Sequence, residues 1–307
     1  MLTLKSQMEI QKNVDVTDLS TLRIKAVADH FAQPKNIEEL IELLKFAKDN
    51  GIKVMFLGGG SNSLLSSKKI DSLLISTLKI DFIKEDINNV FDLGVGLKMP
   101  RFCGKMIHKS LTGAEFMVGI PGSIGGGLVM NAGAHGREFA DIFVSAKVLD
   151  LETLEIHEFN HNDMNFSYRS SVIDPERYCV LSVKVKLEFA EKEEIRSRVA
   201  SYNKSRTTSQ PLKAWTCGCT FKNPQSDYPA GKLIQDIGGK ELSIGEMQVS
   251  DVHANFFENT GAASSSDFIE LVSLVQGLAI EKKNIQLLPE VQPIGFFTED
   301  ERKIWLN

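Results

Sequence analysis

The sequence has little of what marks several protein classes. Only 4 of its 307 residues are cysteine, too few for a small secreted scaffold held together by disulfides. The spacing Cys217-x-Cys219 is not that of a zinc knuckle, and neither Cys103 nor Cys179 has a second thiol nearby in sequence. Those two lie in apolar surroundings and read as small core residues. No apolar run approaches the ~18 residues needed to span a bilayer, and the N-terminal MLTLKSQMEIQKNVDVTDLS lacks the apolar core of a secretory signal. Positive charge is not in excess: 35 Lys+Arg stand against 40 Asp+Glu, a net −5, so there is no basic footprint for nucleic acid. GxxxxGK[ST] is missing, which excludes a P-loop, and Gly58-x-Gly60 is followed by Ser63 where a dinucleotide fingerprint needs glycine.

What is present is a chain of globular composition, 42% hydrophobic and 24% charged, long enough for two or three domains. Helices and strands mix irregularly, which predicts an α+β fold. Asn36 with Glu39 three residues on predicts a capped helix over 36–50, its apolar face Ile37, Leu40, Ile41 and Leu44, stopped by Gly51. Strands are predicted at Val54–Leu57, at Leu73–Ile75 and Val90–Leu93, and within 143–160 and 178–189. Further helices are predicted over 98–110, over the charged run 191–206, which is also the best candidate for a domain connection, and over 264–282. There is no internal repeat or low-complexity tract.

Two glycine-rich segments stand out. The first, Gly58-Gly59-Gly60-Ser61-Asn62, directly follows a predicted strand. The second runs Gly119-Ile120-Pro121-Gly122-Ser123-Ile124-Gly125-Gly126-Gly127. Glycine lets backbone approach a ligand closely, and successive outward N–H groups make an anion-binding nest. Two such loops suggest a ligand with two phosphates and a large body. Taken one at a time, each is equally readable as a turn.

The order of the motifs carries more than any one of them. Ser20-Thr21-Leu22-Arg23, LGGGSN at 57–62, GIPGSIGG at 119–126, MNAGAHG at 130–136 and SYRSS at 167–171 come first. QPL at 210–212, GCTFKNP at 218–224, AGKLI at 230–234, QVSDVHANF at 248–256, NTG at 259–261 and LPEVQPIG at 288–295 follow. In this order and spacing the chain resembles the UDP-N-acetylenolpyruvoylglucosamine reductases, in their shorter subgroup, from about Ser20 to Gly295. The resemblance implies an α+β fold: a two-subdomain FAD-binding module of the vanillyl-alcohol-oxidase (PCMH) type, over 1–75 and 76–203, and a C-terminal α+β substrate-binding domain over 204–307.

The resemblance further implies non-covalent FAD held by Gly58, Gly59, Gly60, Ser61 and Asn62 and by Gly119, Ile120, Pro121, Gly122, Ser123 and Gly125, with no Lys or Arg required beside these loops. It implies NADPH as reductant, a UDP-sugar as substrate, no metal, no nucleic acid and no membrane partner. A cytoplasmic enzyme is expected; a monomer is compatible with the sequence, which fixes no oligomeric state. Arg169 would meet the substrate carboxylate and the developing enolate, and Glu290 would hydrogen-bond near the same oxygens. Cys219 takes the position where the family usually has a proton-donating serine. Tyr168, Arg206, Lys222 and Asn223 are the substrate-side candidates, with Arg206 directed to a diphosphate. His253 and Asn255 read as structural.

Two departures from the family pattern are visible. Lys25-Ala26-Val27-Ala28 replaces Gly-Gly-x-Ala, and Gln292 stands where Arg or Lys is common. Two other readings remain open at this level: a different FAD-linked oxidoreductase of the same fold, and a flavin-binding homologue that has lost catalysis.

Overall fold

The protein is described by a computed structural model, which covers residues 9–224 and 228–306. The chain divides into two compact units, and neither is continuous in sequence. The first comprises Phe31–Gly59 and Leu73–Arg206 together with 9–11; the second comprises Lys12–His30, Gly60–Ser72 and 207–306.

The first unit is built on a five-stranded antiparallel sheet, in the order Ile156–Asn160, Phe143–Asp150, Tyr178–Lys186, Val90–Gly94, Ile83–Glu85. The central strand Tyr178–Lys186 is buried at five consecutive positions, Cys179 to Val183, and the sheet packs onto a core that includes Phe91, Phe102, Phe116 and Phe139, all at most 2% exposed. Phe91 and Phe102 meet edge to face at 6.1 Å. Cys103 and Cys179 are buried in this core, and burial pushes the Cys103 thiol up to about 12.

The helix Ile37–Asp49 is capped as its sequence predicts, Asn36 Oδ1 accepting from the Glu39 N–H at 2.8 Å. The Glu39 carboxylate reaches one residue further back than a capping box requires, to the Lys35 N–H at 2.7 Å. Gly51 ends the segment with φ +63. The next strand, Val54–Leu57, pairs in parallel with Leu73–Ser76 and delivers Gly58 at its end.

One buried carboxylate positions the long charged helix Lys192–Ser209. Glu115, 6% exposed, accepts from Thr112 Oγ1 and the Gly113 N–H, each at 2.7 Å, and from Arg198 Nε at 3.1 Å. Burial alone raises this carboxyl, but the hydrogen bonds from Thr112 and Gly113 and the Arg198 charge outweigh it, so Glu115 titrates below its ordinary 4.5. Stability from this cluster is therefore full above 4.5 and is lost as pH falls through the lowered value. Glu115→Gln should cost about 1–3 kcal/mol at neutral pH and flatten the acid limb of the stability curve, as read by denaturant titration at pH 7 and pH 4.

The second unit has its own core, with Phe221, Phe257 and Phe268 at most 1% exposed around the helix Ser265–Lys283. That helix starts in a full capping box, Ser264 with Asp267. A small antiparallel sheet of Ser243–Ile244, Met247–Val249 and Phe257–Asn259 packs with it. Gln292–Ile294 pairs in parallel with Ser63–Leu65. This last pairing joins the segment after the first glycine-rich loop to the segment after Glu290, 228 residues away in sequence from Asn62. Where Lys25-Ala26-Val27-Ala28 departs from the family pattern, Ala26 and Ala28 are buried, and the Ala26 carbonyl accepts from the Val16 N–H at 3.0 Å. Among the described residues, no helix is long and apolar enough to cross a membrane.

Candidate active site

In the first unit Gly58 and Gly59, which open the first glycine-rich segment, lie against the second segment. A Cβ added to Gly59 would stand 3.0 Å from both the Gly122 Cα and the Pro121 carbonyl oxygen, and one on Gly58 would stand 2.6 Å from the Ser123 hydroxyl. Only glycine allows this approach, and it leaves main-chain groups rather than side chains at the seam. The second segment is anchored from below: Met99 N–H donates to Gly122 O, Ile124 N–H to Leu97 O, and Gly125 N–H to Val95 O, at 2.8–3.1 Å. Ser123 Oγ accepts from the Gly126 N–H at 3.4 Å and so caps the short helix Ile124–Val129.

Arg206 is placed beside the second glycine-rich segment. Its side chain lies across Gly119, the guanidinium carbon 3.0 Å from where a Cβ would be. The resemblance requires no cation beside these loops; the helix Lys192–Ser209 nevertheless brings one there. Tyr202, four residues earlier on the same helix, stacks flat on His135 with ring centroids 4.0 Å apart. Burial, and then the Arg206 charge, push the His135 imidazole below its ordinary value, so it is neutral at pH 7. His135 and Tyr202 escaped the sequence reading; the four-residue spacing from Tyr202 to Arg206 on a helix was the available signal.

Arg169 sits at the tip of a tight turn with φ +53, a left-handed conformation unusual for a non-glycine residue. The turn is closed by reciprocal backbone hydrogen bonds between Ser167 and Ser170, each 3.1 Å. Arg169 Nη2 donates to the Gly133 carbonyl at 2.8 Å, and the guanidinium lies 5.2 Å from the Tyr168 ring centroid. Asn131, fully buried, ties the turn to the neighbouring loop: its amide donates to Ser167 O at 3.1 Å, and its oxygen accepts from the Ala140 N–H at 3.0 Å. A strained residue held by this many contacts is characteristic of functional positions.

The second unit brings Cys219 and Glu290 onto neighbouring segments. Cys219 bridges Phe256 on one side, while Phe221 bridges Pro289 on the other. The Glu290 N–H donates to Thr220 O at 2.8 Å. Buried Asn255 fixes this stretch, its side chain accepting from the Phe221 N–H at 3.0 Å and donating to Phe221 O at 2.8 Å. The Glu290 carbonyl accepts from Asn62 Nδ2 at 3.0 Å and from Gln292 Nε2 at 2.9 Å. Gln292, the apparent departure, is thus a brace for Glu290. The Ser61 carbonyl oxygen lies 3.7 Å from where a Cβ on Gly218 would be. The tail of the first glycine-rich loop therefore bonds the Glu290 segment and faces the turn before Cys219. Asn62→Ala removes one of these ties and should raise the mobility of residues 289–291, read as faster amide exchange there.

Cys219 opens onto a cavity of about 480 Å³, whose walls include Asn223, Lys232, Gln235, His253 and Asn255. Asn223 also accepts from the Ala230 N–H at 3.0 Å, fixing the start of the helix Ala230–Asp236. Lys222 is not among the lining residues; its N–H donates to Leu288 O at 2.9 Å. Lys232 and Gln235 were missed in the sequence because nothing local distinguishes them from an exposed helix face. Burial, followed by nearby Lys240, lowers His253, whose Nδ1 accepts from the Asn255 N–H at 3.2 Å. A neutral, hydrogen-bonded imidazole is consistent with a structural role. Among the described residues no cluster of His, Cys, Asp and Glu could hold a metal ion.

Comparison with known proteins agrees across the chain. Residues 28–160 match the family model described as an FAD binding domain, and residues 210–294 match the C-terminal domain of UDP-N-acetylenolpyruvoylglucosamine reductase. The reductase of that name from Caldicellulosiruptor saccharolyticus is 37% identical over 95% of this chain and 94% of its own length. The one from Prochlorococcus marinus is 34% identical over 93% and 97% respectively. The crystal structure of the Thermus caldophilus reductase superposes with a TM-score of 0.78 at 30% identity, covering 93% of this chain and 99% of that one.

Proposed function

The chain belongs to the UDP-N-acetylenolpyruvoylglucosamine reductase family, and from that premise we propose that it reduces the enolpyruvyl group of UDP-N-acetylenolpyruvoylglucosamine to the lactyl group of UDP-N-acetylmuramate, in cytoplasmic synthesis of peptidoglycan precursors. In this reading residues 1–75 and 76–203 bind FAD non-covalently and residues 204–307 bind the UDP-sugar. The observation that carries it is the hydrogen bond from Asn62 to the Glu290 carbonyl, with the Ser61 carbonyl facing the turn before Cys219. A loop assigned to the flavin is thereby tied to the residues assigned to the substrate.

The residues fit FAD. The seam between Gly58-Gly59 and Pro121–Ser123 offers main-chain donors and hydroxyls with no side chain in the way, and Arg206 beside Gly119 adds the positive charge a pyrophosphate calls for. Gly59→Ala forces a methyl group onto Gly122 and should weaken FAD retention by about tenfold, equal to ~1.4 kcal/mol; release of flavin fluorescence on dilution measures it. Retention equal to the unaltered protein would remove the loop from the FAD site.

FAD, when bound and reduced by NADPH, supplies hydride to the terminal alkene carbon. The protein's own groups do the rest. The Arg169 guanidinium pairs with the substrate carboxylate through two donors and holds the negative charge that develops beside it. The Glu290 carboxyl hydrogen-bonds the same oxygens. The Cys219 thiol gives its proton to the carbon next to the carboxylate, and the resulting thiolate is reprotonated from solvent. A thiol with an ordinary pKa near 8.5 is a stronger acid than an alcohol, so sulfur can serve where relatives use a hydroxyl. The test is direct: the purified protein should be yellow and should consume NADPH at a rate that depends on the enolpyruvyl substrate. Substrate-independent NADPH oxidation with oxygen uptake, or bound flavin without turnover, would overturn the reading.

A further inference from the structure

Cys217 and Cys219 are separated by a single glycine, and their surroundings differ sharply. Cys217 is 1% exposed, buried in the core of the second unit near Phe221. Cys219 is half-buried and lines the cavity of about 480 Å³. Between them the chain bends at Gly218, whose φ of +80 belongs to glycine. Two consecutive trans peptides span at most about 7 Å, and a bend shortens that distance into the ~4.4–6.8 Å between Cα atoms that a disulfide bridges. Trp215 bridges Asn259 and Cys219 bridges Phe256, four steps along one segment against three along the other, so the extra residue falls in this stretch as in a β-bulge.

We propose that Cys217 and Cys219 form a peroxide-reactive dithiol site, in which Cys219 is the residue oxidised and Cys217 converts the product to a reversible disulfide across Gly218. The reactant is hydrogen peroxide or a small alkyl hydroperoxide, of a size the cavity admits. The Cys219 thiol gives up its proton and attacks one peroxide oxygen: an S–O bond forms, the O–O bond breaks, and the leaving oxygen takes up a proton in place of the one released and departs as water or alcohol. Sulfur is oxidised by two electrons to a sulfenic acid and the peroxide is reduced by two. The Cys217 sulfur then attacks the Cys219 sulfur. An S–S bond forms, the S–O bond breaks, and the hydroxyl leaves with the Cys217 proton as water. A small thiol of the glutathione class returns both residues to thiols by exchange and is itself oxidised to a disulfide.

The asymmetry of the pair suits this division. Burial, and then the proximity of Cys219 and Glu290, push the Cys217 thiol up to about 12, so it stays protonated and unreactive toward dissolved oxidants. Its advantage is position: one residue from Cys219, it meets the sulfenic acid as an intramolecular reactant. A disulfide closing so small a ring is strained and therefore easily reduced, the property of a reversible rather than a structural bond. Cys103 and Cys179 lie buried in the core of the first unit. The consequence for activity, loss of turnover while the disulfide persists, rests on Cys219 being the proton donor.

The experiment treats the FAD-loaded protein with hydrogen peroxide, blocks remaining thiols, and digests with trypsin. One peptide, 214–222, carries both residues between Lys213 and Lys222. The expected product is that peptide short of two hydrogens, restored by glutathione, with NADPH-dependent turnover lost and regained in step. The FAD-loaded Cys217→Ala protein, with basal turnover retained, should instead gain two oxygens on Cys219 and stay inactive in glutathione. Should that variant not fold, the peptide mass from the unaltered protein decides alone. Sulfinic acid on Cys219 of the unaltered protein, an unchanged peptide, or a disulfide joining two chains would overturn the proposal. A reversible intramolecular disulfide with turnover undiminished would uphold the dithiol site and remove Cys219 from the role of proton donor.

Discussion

Cys219→Ala is expected to lower turnover of the enolpyruvyl substrate by about 10²–10⁴-fold, the usual contribution of a positioned general acid. Rapid mixing of the variant with NADPH alone should still bleach the flavin at the normal rate, because no proton to substrate carbon is needed in that half. The defect should appear only when substrate is added to the pre-reduced protein. Cys219→Ser should keep substantial activity, since the hydroxyl occupies the same bridge position opposite Phe256. The serine protein should also resist alkylating reagents that inactivate the thiol form. Normal turnover by Cys219→Ala would assign the proton to another group or to water.

Arg169→Ala should reduce kcat/KM by about 10²–10³-fold, the scale for losing one donor to a developing oxyanion. Arg169→Lys should recover little of it, because an ammonium cannot reproduce the two-donor pairing with a carboxylate. Arg169→Gly separates function from folding. At φ +53 glycine bears no steric cost where arginine does, so this variant should be no less stable toward denaturant, and up to about 1 kcal/mol more stable, while being as inactive as the alanine form. The lost bond to Gly133 O works against that gain. An Arg169→Gly protein that was both stable and active would show the guanidinium to be dispensable.

Much of the local structure was legible because its causes are local. Asn36 accepts from the N–H three residues on, Ser264 and Asp267 cap each other, and short runs rich in apolar residues make strands of 143–150 and 178–186. Each of these depends on side chains within a few residues of the backbone they bond. The contact of Arg206 was not legible, for the opposite reason. Its sequence context shows a charged helix end before Gln210, whereas its contact is Gly119, remote in sequence, and is set by how Glu115 and Arg198 seat that helix. Gln292 stands where Arg or Lys is common, and the fold puts its amide on the Glu290 carbonyl.

The sequence by itself determined the family, the mixed α+β character and the residue types available for chemistry, because motif order and hydrogen-bonding capacity are properties of the chain. Only the tertiary structure decided which of the two neighbouring thiols faces a cavity and which is sealed in a core. It also decided that the first glycine-rich loop is tied to Glu290 across 228 residues. Burial and long-range contact are set by the packing of the whole chain, and no local stretch of residues encodes them.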